Sequence, residues 1–391
     1  MSTLVLNAGS SSLKFGLYDY TREYPRCLAR GSFADLDGES TFRAFDDKNH
    51  PLNNEHVNVA NQEQTITWLL EWLAKTLPGI SVQAVGHRVV HGGSLFSSPV
   101  RLTATVLKQL YAFVPLAPLH LSHNLAVIRA LQSQQPNLPQ VACFDTAFHH
   151  NMPFIEQVYA LPRHWFDKGI RRYGFHGLSY EYIAGVLPDH LGSMAEGKVI
   201  VAHLGHGASL CAMHQRRSVA TTMGFTPLDG IPMATRPGSL DPGIITYLMR
   251  EEKIAVNDLD HMLNHECGLA GLSNSSGDMR ELLADSKPES REAVEYFVHH
   301  THRAIASLAG ALGGLDALIF TAGIGENSST VRESICKATN WMGVEIDVHA
   351  NKQHKTLISK PDSRISVWVI PTDEEQIIAR HVYSVLRSKV P

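Results

Sequence analysis

The hydrophobic pattern divides the chain into short apolar runs that alternate with longer amphipathic ones. Short runs that end at a glycine or a polar residue predict buried strands. These runs cover residues 82–90, 140–144, 317–320 and 365–370. Apolar residues at helical spacing predict helices over residues 64–77 and 293–312. The alternation therefore predicts an α/β fold of layered sheets and helices.

Two distant segments share one pattern, in which an apolar run, a tight Gly/Ser turn and a second apolar run follow one another. The first spans residues 4–18 and the second residues 199–213. Such segments predict β-hairpins, and their similarity indicates an internal duplication with one α/β lobe opened by each hairpin. We place the boundary between the lobes near residues 146–152, after the strand that ends in Phe144-Asp145.

The end of the chain carries a helix signal. Thr372-Asp373-Glu374-Glu375 has the pattern of a capping box and precedes an apolar set at helical spacing. We expect the last helix to begin at Thr372.

Composition narrows the functional classes. The 391 residues suggest two domains, and 44% hydrophobic with 18% charged residues is ordinary for a soluble globular protein. A formal charge of −4 without charged blocks argues against nucleic acid as a partner. The start has no signal-peptide pattern, and no run approaches the ~18 apolar residues of a membrane span, so we expect a cytoplasmic protein. The five cysteines form no CxxC pair, and the 22 histidines show no HExxH pattern, which argues against disulfides and zinc.

Three glycine-containing turns have chemistry that suits a nucleotide. Ser10, Ser12 and Lys14 offer donors to a phosphate, and Gly205-His206-Gly207 lets backbone amides approach an anion closely. By itself, the first turn is more typical of an ordinary hairpin than of a phosphate site, and the second turn strengthens the phosphate interpretation. A third segment, residues 320–327, permits close approach of a flat ligand such as adenosine, although a GxG after a strand is also typical of plain packing.

Five ionisable residues stand at the ends of predicted elements. Arg88 and Arg236 carry planar guanidinium groups that bind two carboxylate or phosphoryl oxygens at once, or that form surface ion pairs. Asp145 follows a buried strand, where it could hold a hard cation or cap a turn. His176 and Glu374 carry no distinct signal alone, because a single histidine is usually a packing residue and acids are favoured in a first helical turn.

In this order, these segments closely resemble the acetokinase family of the sugar kinase, Hsp70 and actin superfamily, from Asn7 to Arg380. The matching motifs are Asn-Ala-Gly-Ser-Ser-Ser-Leu-Lys at 7–14, Gly-His-Arg-Val-Val-His-Gly-Gly at 86–93, Phe-Asp-Thr-Ala-Phe-His at 144–149, Met-Gly-Phe-Thr-Pro-Leu at 223–228, Thr-Ala-Gly-Ile-Gly-Glu-Asn at 321–327 and Pro-Thr-Asp-Glu-Glu at 371–375. The resemblance implies two duplicated ribonuclease-H-like lobes of the actin-like ATPase type with an interlobe cleft. The N-terminal lobe would comprise residues 1–148, with a C-terminal helix at 373–391 packing on it. The C-terminal, nucleotide-binding lobe would comprise residues 149–372.

The implied activity is reversible, in-line transfer of the γ-phosphoryl group of ATP to acetate, with Mg²⁺ or alternatively Mn²⁺, in a homodimer. A carboxylate is already a nucleophile at neutral pH and needs no base. The family's positions map onto the following residues: Asn7, Asp145 and Glu374 for the metal; Arg88, Asp145, His176 and Arg236 for catalysis; Arg88, Val90, Leu119, Phe175 and Pro227 for the acyl group; and Ser10, Ser12, Lys14, His203, Leu204, Gly205, His206, Gly207, Asp278, Met279, Arg280, Gly323, Ile324, Gly325 and Asn327 for ATP.

The chain departs from the family's motifs at three places of interest. Leu121 stands in a segment that usually reads Leu-His-Asn-Pro-Pro-Asn, Tyr180 replaces a histidine, and His206 replaces an asparagine beside the phosphates. An imidazole at residue 206 predicts altered nucleotide affinity and a stronger pH dependence near neutrality. Two alternative functions stay open: a propionate or butyrate kinase on the same scaffold, although Val90 favours acetate, and an ATP-binding module without turnover.

Overall fold

The computed structural model describes residues 1–9, 12–20, 25–34, 38–59 and 61–388, with only the backbone of Gly38, Glu39 and Leu119. The strands are β1 Ser2–Ala8, β2 Ser12–Asp19, β3 Arg26–Ala34, β4 Gly38–Asp46, β5 Pro51–Val59, β6 Ala84–Val89, β7 Val100–Arg101, β8 Gln140–Phe144, β9 Lys198–Leu204, β10 Ala208–His214, β11 Arg217–Thr221, β12 Ala317–Thr321 and β13 Ser366–Val369. The helices are α1 Gln62–Thr76, α2 Ala104–Ala112, α3 Pro118–Gln134, α4 Phe154–Gln157, α5 Arg163–Asp167, α6 Gly177–Leu191, α7 Pro242–Arg250, α8 Val256–His265, α9 Gly268–Ser273, α10 Met279–Ala284, α11 Pro288–Leu312, α12 Ala322–Asn327, α13 Ser329–Ala338, α14 Val348–Lys352 and α15 Glu374–Arg387.

The chain forms two compact units, residues 1–147 with 373–391, and residues 148–372. The sheet of the first unit has the order β5-β4-β3-β2-β1-β6-β8-β7, and the sheet of the second has the order β11-β10-β9-β12-β13. In both, an antiparallel hairpin is followed on one side by two parallel strands. Strands β3-β2-β1-β6-β8 thus have the order and directions of β11-β10-β9-β12-β13, which confirms the predicted duplication of one α/β plan.

The first unit has an aromatic core on one face of its sheet. Phe15 stacks on Phe42 with ring centroids 5.9 Å apart, and Trp72 of α1 meets Phe42 edge to face at 4.9 Å. Leu4 and Leu6 of β1 join the same buried cluster. Burial of each such side chain contributes roughly 2 kcal/mol, so these alternating positions fix the register of the hairpin.

Helix α15 packs on β1, β6 and β8 of the first unit. The approach is close at Gly86 in β6, where an added Cβ would lie 2.4 Å from Ile378 and 2.7 Å from Val382. A side chain at residue 86 would therefore displace α15, and overpacking of this kind typically costs about 1–3 kcal/mol.

The second unit buries the alternate residues of its sheet against α6. Val199 and Val201 of β9 and Ile319 of β12 pack with Tyr180 and Ile183, and all five are fully buried. This contact sets the position of α6 relative to β9, so it also sets the place of the loop that precedes α6.

The two predicted hairpins are confirmed as β1–β2 and β9–β10, but the predicted start of the last helix is wrong. Asp373, rather than Thr372, caps α15: its carboxylate accepts a hydrogen bond of 2.8 Å from the backbone N–H of Gln376. Both residue types are good N-caps, and here the carboxylate occupies the position that the hydroxyl was predicted to take.

None of the described helices has the length and apolar character that crossing a membrane requires.

Candidate active site

Three candidate residues of the first unit stand at the carboxyl ends of neighbouring parallel strands. Asn7 is the penultimate residue of β1, Arg88 is the penultimate residue of β6, and Asp145 follows β8 directly. Because β1 pairs parallel with β6 and β6 with β8, these ends meet at one edge of the sheet. The buried amide of Asn124 fixes that edge, since it donates to the carbonyl oxygen of Ala8 at 2.9 Å and accepts from the N–H of Val90 at 3.0 Å.

Arg88 and Asp145 form a bidentate ion pair. The Nε and Nη2 atoms of Arg88 donate to the two carboxylate oxygens at 3.1 and 2.5 Å, and Nη1 donates to the amide oxygen of Asn7 at 3.1 Å. Glu374, in the first turn of α15, has a carboxylate oxygen 3.8 Å from Nε of Arg88. The Asp145 side chain is 1% exposed and that of Arg88 20%, so little water is left around the pair.

Burial is the main influence on the titration of these acids. It raises the pKa of both Asp145 and Glu374, and that of Glu374 reaches about 7. The guanidinium of Arg88 opposes this shift, the carboxylates of Asp145 and Glu375 add to it at Glu374, and Lys14 lowers the pKa of Glu374 slightly. Two acids close together in a site with little water indicate a place where additional positive charge is favoured.

In the second unit, two side chains meet at Gly207, in the turn between β9 and β10. A Cβ added at Gly207 would lie 2.7 Å from Nη2 of Arg236 and 3.2 Å from Nε2 of His176. Arg236 is fixed from its other nitrogen, Nη1, which donates to the carbonyl oxygen of Pro227 at 2.8 Å. The missing side chain therefore leaves a guanidinium and an imidazole nitrogen side by side next to a backbone turn, an arrangement suited to phosphoryl oxygens.

His176 is the residue before α6 and has a left-handed backbone, with φ of 59°. Its ring stacks on that of His203 with centroids 4.2 Å apart. Nδ1 of His176 is 2.8 Å from the hydroxyl of Ser209, and this hydroxyl is 2.5 Å from that of Tyr180. A hydroxyl group thus helps to place the imidazole of His176.

His203 has its own hydroxyl partner. Its Nδ1 lies 2.8 Å from Oγ of Ser179, which donates to Oγ1 of Thr372 at 2.9 Å. The backbone N–H of Thr372 in turn donates to the carboxylate of Glu326 at 3.2 Å, and the same carboxylate oxygen accepts from the N–H of Ala322 at 2.8 Å. Hydrogen bonds thus connect the predicted phosphate turn to the predicted adenosine segment.

The residues predicted to contact an acyl group lie in both units. Val90, 7% exposed, follows β6, and Phe175, 2% exposed, precedes His176. The Phe175 carbonyl oxygen accepts from Nε2 of His149 at 3.0 Å, and Nδ1 of His149 accepts from Ser218 at 2.8 Å. Burial lowers the pKa of His149 to about 4, so a neutral imidazole holds the main chain at Phe175.

The predicted adenosine residues differ in how much of their surface they offer. An added Cβ at Gly323 would meet no atom within 4 Å, so the backbone there is open to close approach. Asp278 caps α10 and pairs with Arg280 at 2.6 Å, which lowers the pKa of Asp278 to about 2. Met279 is buried, with 3% exposed, and would reach a ligand through its main chain.

The surroundings of His206 lower the pKa of its imidazole. Loss of hydration is the largest influence that lowers its pKa from 6.5, the positive charge of Arg236 is the second, and Asp278 opposes both. This direction moves the expected pH dependence to lower pH, and the effect on nucleotide affinity stays a prediction.

The structure thus brings together Asn7, Arg88, Asp145 and Glu374 in one unit, and His176, His203, Gly207 and Arg236 in the other. Ser10 and the side chain of Leu119 lie outside the described residues. Among the described residues, no three His, Cys, Asp or Glu side chains form a group that could hold a metal ion by themselves. Sequence reasoning missed Asn124, Tyr180 and Ser209 as supports, because their partners lie 29–116 residues away.

Comparison with known proteins assigns the chain to a family. The model of the acetokinase family matches residues 2–380. A relative named acetate kinase, from Rhodopseudomonas palustris, is 49% identical over 386 residues, which cover 97% of each chain. Another acetate kinase, from Rhizobium meliloti, is 44% identical over 391 residues and 98% of each chain.

Solved structures agree with this assignment. An acetate kinase of Porphyromonas gingivalis superposes with a TM-score of 0.88 at 34% identity, over 99% of this chain and all of that one. A propionate kinase of Francisella tularensis superposes with a TM-score of 0.91 at 35% identity, over 98% and 99%. The predicted α/β fold of the actin-like ATPase type is confirmed, and the chain belongs to the acetokinase family.

Proposed function

We propose that this chain is an acetate kinase, which transfers the γ-phosphoryl group of ATP reversibly to acetate. The observation that carries the proposal is the buried Arg88–Asp145 fork at the carboxyl ends of β1, β6 and β8, with Asn7 and Glu374 beside it. Family membership and relatives named acetate kinase over nearly the whole length support the same activity.

The proposed reaction requires that acetate is oriented toward the γ-phosphorus and that the negative charge of the phosphoryl oxygens is compensated. An oxygen of acetate attacks the γ-phosphorus, the P–O bond to the β-phosphate breaks, and acetyl phosphate and ADP are released without transfer of a proton to the enzyme. Arg88 orients the acetate carboxylate, because its guanidinium offers paired donors. Arg236 and the Nε2 atom of His176 contact phosphoryl oxygens, on which negative charge is spread in the transition state.

The acids of the first unit fit Mg²⁺ as the cation that accompanies ATP. Mg²⁺ prefers one or two carboxylates together with water and phosphate oxygens, rather than a cage made only of protein ligands. Asp145, Glu374 and the amide oxygen of Asn7 supply such a set, and a cation nearby would reverse the raised pKa of Glu374. When bound, Mg²⁺ would neutralise charge on the transferring group.

The residues proposed to contact ATP are those that match the family's positions. Ser12, Lys14 and the turn from His203 to Gly207 would contact phosphates, with Ser10 added by the sequence motif. Asp278 to Arg280 and the segment from Gly323 to Asn327 would contact adenosine. The open backbone at Gly323 and the close approach allowed at Gly207 support this assignment.

A second copy of the chain is the proposed partner, in a homodimer. None of the nine residues of α7, all of them described, is buried. Ile244 is 42% exposed, Tyr247 50% and Met249 40%, and Leu240 and Val256 nearby are also exposed. A helix that is apolar on its surface is the usual sign of a face that another protein covers. Sedimentation of the chain and of an Ile244→Asp variant would test this, with a monomeric variant as the expected result.

Cytoplasmic ATP would supply the reaction, so we also propose a cytoplasmic location.

Propionate is the second candidate acceptor, because a propionate kinase is among the structures that this chain resembles. One methylene changes discrimination in an apolar pocket by only about 1–3 kcal/mol. Val90, Phe175 and Pro227 are the residues at which we expect that discrimination to arise.

The test is acyl phosphate formation, trapped as hydroxamate, from ATP and Mg²⁺ with acetate, propionate and butyrate in parallel. We expect the highest kcat/KM for acetate and a loss of product in Arg236→Ala. A higher value for propionate would keep the mechanism and change the acceptor. Absence of product with all three acids, while ATP still binds, would favour an ATP-binding module without turnover.

A further inference from the structure

We propose that Tyr180 and Ser209 are positioning residues that hold His176 in the neutral tautomer with its proton on Nε2. The inference rests on the proposed function, in which Nε2 of His176 contacts the transferring phosphoryl group. It concerns residue 180, which is a tyrosine in this chain.

The three side chains form a chain of short hydrogen bonds inside the second unit. The hydroxyl of Tyr180 is 2.5 Å from Oγ of Ser209, and Oγ of Ser209 is 2.8 Å from Nδ1 of His176. Tyr180 and Ser209 are both fully buried. Water is therefore not available to either hydroxyl, and each O–H has to find its acceptor within this chain of groups.

The directions of the hydrogen bonds follow from the number of acceptors. Among the described residues, Ser209 is the hydrogen-bond partner of the Tyr180 hydroxyl, so the phenol donates to Ser209. The Ser209 hydroxyl accepts that bond and donates its own proton to Nδ1 of His176, since a buried O–H without an acceptor is strongly disfavoured. A neutral imidazole that accepts at Nδ1 carries its proton on Nε2.

A tyrosine enforces this direction more strictly than a histidine would. Burial raises the pKa of Tyr180 well above its ordinary value, so its hydroxyl keeps its proton at every working pH. A histidine at the same position could present either a donor or a lone pair to Ser209. A tyrosine at this position therefore gives the hydrogen-bond chain a fixed direction.

The tautomer matters because of what lies around Nε2. The Nε2 atom of His176 and Nη2 of Arg236 lie 3.2 and 2.7 Å from the Cβ position of Gly207. With the proton on Nε2, both groups donate to a phosphoryl oxygen placed there. With the proton on Nδ1, the imidazole would direct a lone pair at that oxygen and repel it.

The experiment uses Tyr180→Phe in the full-length protein. This change removes one hydroxyl and keeps the ring that packs against Phe148 and His149. Long-range ¹H–¹⁵N spectra of protein labelled at histidine, without substrates, would report the tautomer of His176, with its signals identified from a His176→Gln spectrum. We expect the Nε2–H form in the wild type and a mixture of tautomers in Tyr180→Phe. We further expect kcat to fall about three- to tenfold, with KM for acetate and ATP within about twofold.

Tyr173→Phe is the matched control. The Tyr173 hydroxyl donates to the carbonyl oxygen of Gly169 at 2.8 Å in the same unit, so this change removes a similar hydrogen bond outside the chain from Tyr180 through Ser209 to His176. We expect wild-type spectra of His176 and wild-type kcat. An equal loss of kcat in the control would overturn the proposal, as would an unchanged tautomer in Tyr180→Phe.

Ser209→Ala gives an independent test, because the relay runs through Ser209. If the phenol acts only through that hydroxyl, Tyr180→Phe has no further effect on kcat in a Ser209→Ala background. Additive losses of kcat would overturn the relay and leave packing as the role of Tyr180. Absence of acyl phosphate from the wild type would refute the proposed function, whereas the spectra would still decide the tautomer of His176.

Discussion

Each unit holds its own group of candidate site residues, and the two groups differ in their chemistry. In the first unit, the charges of Arg88, Asp145 and Glu374 are packed together with little water around them. In the second, the neutral side chains of Tyr180 and Ser209 place His176 beside Arg236. The same five-stranded plan therefore supports a cluster of compensating charges in one copy and a chain of oriented dipoles in the other.

The difference has an energetic consequence. Removing one partner of a buried ion pair leaves an uncompensated charge, which destabilises the fold strongly. Removing a hydroxyl from a hydrogen-bond chain costs much less, about 1 kcal/mol. We therefore expect changes in the first site to affect activity and stability together, and changes in the second to affect activity alone.

The largest effect is expected for Asp145→Asn. The amide keeps the shape of the side chain but removes the bidentate counter-charge of Arg88, which leaves only the more distant carboxylate of Glu374, 3.8 Å away. We expect kcat/KM to fall at least about a thousandfold and the free energy of unfolding of the first unit to fall by about 3 kcal/mol. Acyl phosphate assays and urea unfolding would measure both.

Asp47→Asn is the control for that change. Asp47 pairs with Arg26 at 2.6 Å in the same unit, but the Arg26 side chain is 69% exposed, and exposed pairs contribute little. We expect no measurable change in either quantity. A similar loss of stability in both variants would show that the Arg88–Asp145 pair is not exceptional.

Arg236→Ala is expected to separate activity from stability. The change removes a cation from the proposed phosphoryl site and a hydrogen bond to the carbonyl of Pro227. We expect kcat to fall about a hundred- to a thousandfold, while the thermal midpoint stays within a few degrees. A large fall in the thermal midpoint would contradict the proposed contrast between the units.

The third effect concerns the pH dependence of stability. The pKa of His149 is about 4 in the folded protein, against 6.5 for an ordinary histidine. The unfolded chain therefore binds more protons between these values, so the stability contributed by the neutral ring is present above pH 6.5 and is lost as the pH falls toward 4. The loss between pH 7.5 and 5.0 is about 2 kcal/mol.

His149→Gln would isolate that contribution. The variant has no imidazole to protonate, so its urea midpoint should change less than that of the wild type between pH 7.5 and 5.0. Identical changes in both proteins would mean that other groups account for the acid sensitivity. The Phe175 carbonyl can still accept a hydrogen bond from the glutamine amide, which limits the loss of structure.

Local patterns in the sequence predicted one part of this site well. Asn7, Arg88 and Asp145 stand where apolar runs end, and the ends of neighbouring parallel strands meet at one edge. The glycine turn at residue 207 was likewise visible as a break between two apolar runs. These features depend on residues close in sequence, so periodicity and turn chemistry are enough to find them.

Other features depended on distant residues. Nothing in the sequence near His176 shows that Ser209 and Tyr180 direct its proton, because that follows from the packing of α6 on β9 and β10.

Strand β5, Pro51–Val59, has buried side chains only at Val57 and Val59, so it lacked the alternation that identifies a strand. At the last helix, Thr372 and Asp373 are both suitable caps, and only tertiary structure decides between them.

The smallest effect is expected for His206→Asn, which replaces the titratable imidazole by a neutral amide. The lowered pKa of His206 means that its ring gains a charge only on the acidic side of neutrality. The added charge would strengthen binding of the ATP phosphates there and would be lost as the pH rises through that pKa. KM for ATP should therefore fall from pH 7 to pH 5.5 in the wild type by about threefold more than in the variant. At pH 7.5 the two proteins should have the same KM, and a difference there would mean that the size of the imidazole, rather than its charge, alters the nucleotide site.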